Sequence, residues 1–341
     1  MTALCHISAR LAILMHSTTY ELQAKRLSAL DAHPLIKSLY KRRQKIQNRW
    51  GDHRKYILQH IPLLNDREFN MKKMALAFIC IVLLSAGFAQ QQSGPAKIQT
   101  LIITGQNGHD WKGTTPLLRK QLEDTGKFVV RVTEEFRGAG PETLAPYDLV
   151  VLNYFELRKP ELRWGERADN ALLDFVRSGK GALVYHFSVA AFDGWTEYEK
   201  LSAGNWRPNN GHHSAAHDFT VDIKDADHPI TRGLKSSFPQ PKDELYANLR
   251  WQPADQYHVL ATAWDDHSLY QGKARQPIPG AGIHQPMLWT VQYGKGKVFV
   301  TALGHDIPAV QTPAFVTTFT RGAEWAATGS VTLPIPPEMA K

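Results

Sequence analysis

Cysteine is almost missing from this sequence of 341 residues. The two that occur, Cys5 and Cys80, both precede residue 90, where we expect the mature protein to begin. A chain without cysteine forms no disulfide bond, offers no thiolate to zinc and has no cysteine nucleophile. The sequence therefore excludes thiol chemistry from the mature protein.

We expect no membrane anchor to remain after processing. The apolar run at residues 74–84 is too short to span a bilayer comfortably. It follows Lys72 and Lys73 and precedes the small residues Gly87 and Ala89, which is the layout of a secretory signal peptide. We therefore predict a signal peptide at residues 71–89, cleavage after Ala89, and a periplasmic or extracellular protein.

Residues 1–70 precede this signal peptide, although a signal peptide normally starts the chain. We interpret Met71 as the true start and residues 1–70 as the product of an over-long gene prediction. A disordered cytoplasmic extension is the alternative. Residues 90–96 then form a polar linker to the folded part.

Excess positive charge is missing from the predicted mature chain. The whole sequence has 40 Lys+Arg and 32 Asp+Glu. Residues 1–70 hold 12 of the bases and 5 of the acids, and Lys72 and Lys73 add two bases, which leaves 26 bases and 27 acids after Ala89. Because the basic charge lies in segments that we expect to be absent, we predict no nucleic-acid partner.

A dinucleotide fingerprint is missing as well. The first predicted strand is followed by Gly105-Gln106-Asn107-Gly108, which lacks the third glycine of the phosphate-binding turn. We therefore expect no nicotinamide or flavin cofactor.

The pattern that is present alternates strands with helices. Short apolar blocks bounded by glycine predict buried strands, and amphipathic runs between them predict helices, which together indicate an α/β fold with a mostly parallel central sheet. One domain is expected over residues 97–328, followed by a tail at 329–341. The predicted strands are 98–104, 128–132, 148–154, 182–185, 218–223, 257–263 and a hairpin of 286–291 with 297–303; the predicted helices begin at Thr114, Arg167 and Phe315, and residues 192–208 are predicted to form a long loop.

Histidines follow several of these strands. His109 with Asp110 follows the first strand, His186 follows strand 182–185, and His305 with Asp306 follows the hairpin. The carboxyl ends of parallel strands face one crevice, and imidazole titrates near neutrality. We therefore predict acid–base roles for His109, His186, His305 and Asp306. A buried histidine that only secures the strand end is the alternative for His186.

Other polar and aromatic residues are candidates for substrate binding. Glu244 and Tyr246 suit hydrogen bonds to hydroxyl groups, unless they belong to the cap of a short helix. Trp111 suits stacking on a sugar ring, although core packing is the default for tryptophan. Asp110 and His212 complete this predicted set.

A metal site is predicted from two further histidines. His213 and His217 are four residues apart, so on a helix they would share one face and bind a divalent metal ion with a carboxylate. A surface loop with polar histidines is the alternative.

Several motifs in order resemble one family. Residues 228–234 (His-Pro-Ile-Thr-Arg-Gly-Leu), 243–246 (Asp-Glu-Leu-Tyr), 286–289, 293–299 and 303–306 resemble the ThuA-like, trehalose-utilisation family. The resemblance covers residues 97–328. It implies the class I glutamine amidotransferase-like superfamily, with a flavodoxin-like three-layer sandwich.

The same resemblance implies a function. True amidotransferases carry a cysteine nucleophile in the turn after the central strand, where this chain has Tyr185-His186-Phe187-Ser188, so amidotransferase activity is excluded. The family name and the association of relatives with keto sugars imply a secreted enzyme, a hydrolase, lyase or isomerase, whose partner is a small carbohydrate. The alternative is a non-catalytic carbohydrate-binding or scaffold domain on the same fold.

Overall fold

The computed structural model describes residues 96–271 and 278–341. All of them lie in one compact unit, residues 93–341. The predicted extension at 1–70, the signal peptide at 71–89 and all but the last residue of the linker lie outside the described residues. No helix within the described ranges is both long and apolar enough to cross a bilayer.

Eleven strands, six α-helices and four short 3-10 helices make up the described chain; the 3-10 helices are Pro160–Leu162, His186–Ala190, Ala254–Gln256 and His267–Tyr270. The strands are β1 (Ile98–Ile103), β2 (Phe128–Thr133), β3 (Leu149–Leu152), β4 (Gly181–Tyr185), β5 (Gly204–Asn205), β6 (His217–Ile223), β7 (Ser237–Asp243), β8 (Arg250–Trp251), β9 (Tyr257–Trp264), β10 (His284–Tyr293) and β11 (Gly296–Thr301). The helices are α1 (Trp111–Asp124), α2 (Pro141–Leu144), α3 (Glu166–Arg177), α4 (Thr196–Ser202), α5 (Ile307–Val310) and α6 (Pro313–Thr328).

The main sheet has a parallel half and an antiparallel half. Its strand order is β2-β1-β3-β4-β11-β10-β9-β6-β7, and β5 pairs with β8 in a separate small sheet. The pairs from β2 to β11 are parallel, whereas every pair from β11 to β7 is antiparallel. The predicted hairpin is β10 and β11, and it joins the two halves.

Helices cover both faces of the parallel half, so the predicted three-layer α/β sandwich is confirmed. In β4, Ala182 and Val184 join the core that contains α3 and α4, while Leu183 and Tyr185 join the core that contains α1 and α6. Every residue of β4 is buried. Strands that are covered on both faces are continuously apolar, and the strands of this half could therefore be predicted from the sequence.

Several elements differ from the predictions, and α2, α5 and β8 were not predicted at all. Strand β7 was not predicted because it contains Pro239 and Pro241, and proline is tolerated there because β7 is an edge strand. The segment 192–208, predicted as a loop, contains α4 and β5. The tail at 329–341 packs back on the domain, where Leu333 and Met339 are buried.

Gly181 provides a test of the packing between β4 and α6. A Cβ atom at this position would lie 2.5 Å from the Ala326 carbonyl oxygen and 2.8 Å from the Ala327 nitrogen. Because these are backbone atoms, Gly181→Ala has to displace the helix, and we expect a loss of about 1–3 kcal/mol in the free energy of unfolding. Denaturant unfolding measures it; unchanged stability would show that α6 does not press on β4.

His228 predicts how stability depends on pH. Its Nδ1 accepts a hydrogen bond from the Ile230 amide at 3.2 Å, and its ring packs on Trp325. Burial lowers the pKa of His228 to about 4, although Asp225 opposes the shift. The folded state therefore holds a neutral ring where the unfolded state, with a pKa of 6.5, takes up a proton.

Stability from this residue should fall as the pH drops from about 6.5 towards 4. His228→Asn retains a side-chain acceptor for the Ile230 amide but does not titrate. We expect the melting temperature of this variant to fall less between pH 7 and pH 5 than that of the parent, with the exposed His284→Asn as control. Equal slopes for parent and His228→Asn would contradict the prediction.

Candidate active site at the strand ends

Three histidines and one glutamate converge at the carboxyl edge of the parallel half. His109, His186 and His305 follow β1, β4 and β11, while Glu244 directly follows β7 in the antiparallel half. Glu244 Oε2 lies 3.3 Å from His109 Nε2 and 3.1 Å from His305 Nδ1. It lies 3.7 Å from His186 Nε2. We call His109, His186, Glu244 and His305 the histidine–glutamate cluster.

His186 is held in a fixed orientation and a fixed tautomer. Its φ angle is +44°, a left-handed conformation that is costly for a residue with a side chain. Its Nδ1 donates to the Ala302 carbonyl at 2.7 Å, so in the neutral ring Nε2 carries a lone pair. The Tyr246 hydroxyl lies 2.7 Å from Nε2, and the two rings stack.

A polar loop and an aromatic ring position His109. The Asn107 side chain accepts from the His109 amide at 3.2 Å and donates to Asn153, at the end of β3, at 3.0 Å. The imidazole packs edge-on against Phe187, with ring centroids 4.5 Å apart. The loop after β1 is therefore tied to the neighbouring strand rather than free.

Asp243 connects the two halves of the sheet below the cluster. Its fully buried carboxylate accepts from the amides of Gly304 at 2.7 Å and His305 at 2.9 Å. It also accepts from the Glu244 amide at 2.8 Å. The Tyr185 hydroxyl donates to the Gly304 carbonyl from the other side. One carboxylate thus orients the backbone of two cluster residues.

The charges of the cluster are coupled. Burial acts to raise the pKa of Glu244, but the three histidines outweigh it and hold the pKa well below the usual range, so the side chain is a carboxylate. Burial lowers the pKa of His109, and the Glu244 carboxylate partly opposes that shift. The same carboxylate raises the pKa of His305, which is less buried.

Aromatic side chains and a fourth histidine form one wall beside the cluster. His213 Nδ1 lies 3.4 Å from Glu244 Oε1, on the other carboxylate oxygen. The Trp206 ring contacts both Tyr246 and His213, with centroids 5.0 Å and 5.7 Å away. The side chains of His305 and His213 are 27% and 36% exposed, so the cluster is open to solvent on this side.

The structure gives two predicted catalytic or binding residues a capping role. Asp306 accepts from the Ala309 amide at the start of α5, and Asp110 accepts from the Gly113 amide at the start of α1. An N-cap carboxylate satisfies a helix amide that otherwise has no partner. Trp111 is the first residue of α1 and is only partly buried, with Lys112 over its ring.

The predicted pairing of His213 with His217 on a helix is wrong. His217 begins β6, and its Nδ1 lies 3.0 Å from the Ser214 hydroxyl, whereas His213 faces Glu244. His212 donates from Nε2 to the Pro279 carbonyl at 2.6 Å and packs on Tyr270. Only His213 of this predicted group therefore contacts the histidine–glutamate cluster.

Among residues 96–271 and 278–341, the group that suits a metal ion is the cluster itself. Each of the four offers one ligand atom, and these atoms lie within 4.8 Å of one another. Sequence reasoning missed this set as a unit, and it missed Phe187 and the contacts of Asp243 with the backbone of residues 304 and 305. The sequence analysis identified Glu244 as a candidate, but its position beside β11 depends on the edge strand β7, which was not predicted.

One protein family and several solved structures are similar to this chain. Residues 99–326 match the family model ThuA, described as trehalose utilisation. The chain is similar to the structure of a putative ThuA-like protein from Parabacteroides merdae, with 30% identity and a TM-score of 0.62, over 72% of this chain and 95% of that one. A putative ThuA-like protein from Bacteroides uniformis shares the fold at 16% identity and a TM-score of 0.52, over 71% and 98% of the two chains. No curated protein matches significantly.

Asp243→Asn tests whether the carboxylate organises the site. An amide offers one acceptor oxygen in place of two and turns an NH2 group towards backbone donors, so we expect a loss of about 1–3 kcal/mol for each donor left unsatisfied. Asp306→Asn is the matched control, because asparagine caps helices as well as aspartate does. Chemical denaturation of both variants measures the difference; equal stabilities would contradict the proposed role of Asp243.

Proposed function

Because this chain belongs to the ThuA (trehalose utilisation) family, we propose that it is a secreted enzyme that acts on a sugar or sugar derivative. The observation that carries the proposal is the convergence of His109, His186 and His305 on Glu244 at the carboxyl edge of the sheet. Secretion is supported by the signal-peptide pattern of residues 71–89.

The surroundings of the cluster suit a small carbohydrate. Glu244 supplies acceptor oxygens for hydroxyl groups, and His213 adds a polar group at the rim. Trp206 and Phe187 supply aromatic surface beside these polar groups, and sugars are bound by this combination of hydrogen bonds and ring contacts. The partial exposure of His305 leaves room for a substrate to approach.

The reaction we propose is proton transfer at a carbon or hydroxyl of the sugar. We assign the base to His109 because burial lowers its pKa, which favours the neutral ring, and because the Glu244 carboxylate lies 3.3 Å from its Nε2. Glu244 orients the imidazole and stabilises the positive charge that forms on it. His305 lies beside the same carboxylate and is suited to return a proton to the leaving group or product.

A glycoside and its 3-keto derivative are the substrates to compare. Hydrolysis requires protonation of a leaving oxygen, whereas elimination or isomerisation of a keto sugar begins with removal of a proton next to the carbonyl. The site contains groups for both steps and the chain lacks a dinucleotide fingerprint, so we propose hydrolase, lyase or isomerase activity without oxidation.

Two histidine variants separate catalysis from stability. His109→Gln should lower turnover by about 10²–10⁴-fold with a nearly unchanged melting temperature, because within the described part of the chain its ring makes one hydrogen bond, with Glu244. His186→Gln should lower both, since the buried Ala302 carbonyl loses its donor. Turnover of glycosides and 3-keto-glycosides is measured beside thermal unfolding, with the exposed His258→Gln as control.

Full turnover by His109→Gln would overturn the assigned role. A parent protein that binds these sugars within the same site but converts none of them would instead support a carbohydrate-binding domain. Calorimetric titration of each sugar distinguishes that outcome from a wrong choice of substrate, because an unsuitable sugar gives neither heat nor product.

A further inference from the structure

We propose that His109, His186, Glu244 and His305 bind one divalent transition-metal ion, with Zn²⁺ as the best match to the ligand set. The inference deepens the proposed function by naming a cofactor for the same site, and it rests on that function only for what the ion does to a sugar. With the ion bound, His109 and His305 serve as ligands, and the proton acceptor is then His213 or a water polarised by the ion. Binding itself can be measured without any turnover.

The spacing of the ligand atoms is the first argument. Zinc is held by histidine nitrogens and carboxylate oxygens at roughly 2.0–2.2 Å, so the ligand atoms of a tetrahedral site are roughly 3.4 Å apart. The three imidazole nitrogens lie 3.1, 3.3 and 3.7 Å from Glu244 Oε2. All four atoms lie within 4.8 Å of one another. These separations fit the edges of a coordination polyhedron around one ion.

Hydrogen bonding alone accounts poorly for the same contacts. Three imidazole nitrogens crowd around a single carboxylate oxygen. The buried Nδ1 of His305 makes no hydrogen bond to any described residue, although it lies 3.1 Å from Glu244 Oε2. His186 uses its Nδ1 proton on the Ala302 carbonyl, so its Nε2 cannot donate to the Glu244 carboxylate 3.7 Å away and instead accepts from the Tyr246 hydroxyl at 2.7 Å. A cation between these groups removes the repulsion.

The supporting contacts are those that metal ligands need. A metal-binding histidine commonly donates its second ring nitrogen to a carbonyl or carboxylate, as His186 does to Ala302. Asp243 fixes the backbone of His305 and Glu244. The ligands are thus oriented by groups outside the ion's own coordination shell, before any ion binds.

The ligand set also selects the kind of ion and leaves one side open. Imidazole nitrogens favour transition metals, whereas Mg²⁺ and Ca²⁺ prefer oxygen ligands. The side chains of His109 and His305 are 15% and 27% exposed. His213, 36% exposed, and Trp206 lie beside the cluster. The buried Tyr246 hydroxyl, 2.7 Å from His186 Nε2, would give up that contact when the ion binds. A sugar oxygen or water entering there would be polarised by the metal.

Metal analysis of the full-length chain tests the proposal. Protein stripped with a chelator is titrated with Zn²⁺, Mn²⁺, Ni²⁺ and Mg²⁺ in a calorimeter, and zinc content is measured after dialysis. We expect one Zn²⁺ per chain, a higher melting temperature with Zn²⁺ and no response to Mg²⁺. Glu244→Gln and His305→Ala should weaken zinc binding at least tenfold, whereas His217→Ala and the exposed His258→Ala should not.

The outcomes separate this proposal from the proposed function. Failure of the folded parent protein to bind any of the transition metals overturns it, as does zinc binding that needs His217 but not Glu244. Should Glu244→Gln not fold, the visible spectrum of the Co²⁺-loaded parent reports nitrogen and oxygen ligands directly. If sugar turnover persists in metal-free protein, the enzyme assignment stands and the metal has no role in it. If one zinc binds per chain but no sugar is converted, the metal site stands and the enzyme assignment fails.

Discussion

The buried carboxylate of Asp243 is the contact on which the geometry of the site depends. It ends β7 in the antiparallel half and accepts from the amides of Gly304 and His305, which follow β11 in the parallel half. A buried carboxylate without such donors would be costly, so these bonds offset its desolvation. Glu244 is the next residue, and its direction is therefore set by the same contact.

The division of the sheet into two halves explains why the cluster combines histidines from one half with a glutamate from the other. Parallel strands bring His109, His186 and His305 to one edge because their carboxyl ends are adjacent. The antiparallel half contributes Glu244, the residue directly after the edge strand β7, and its carboxylate lies within 3.7 Å of a ring nitrogen of each of the three histidines.

The sequence predicted the parallel half and its histidines because both follow simple rules. Strands such as β4 are apolar throughout, and the residues after them share an edge, so His109, His186 and His305 could be placed without coordinates. Glu244 was predicted to bind substrate. Its position between the histidines was not predicted, because it depends on β7, and the two prolines of β7 argue against a strand in the sequence. The i, i+4 spacing of His213 and His217 was misleading because that segment is not helical. Asp306 resembled a catalytic neighbour of His305, although N-capping requires the same residue type at the same position.

The left-handed backbone of His186 has a consequence for sequence variation. A φ angle of +44° is open to glycine and is tolerated by asparagine, but it excludes β-branched side chains. A library at this position should therefore recover folded proteins with glycine or asparagine far more often than with valine or isoleucine, whatever happens to the chemistry. The backbone conformation after β4 thus limits which amino acids fit at position 186, independently of any catalytic requirement. Histidine is found there although its side chain disfavours this conformation.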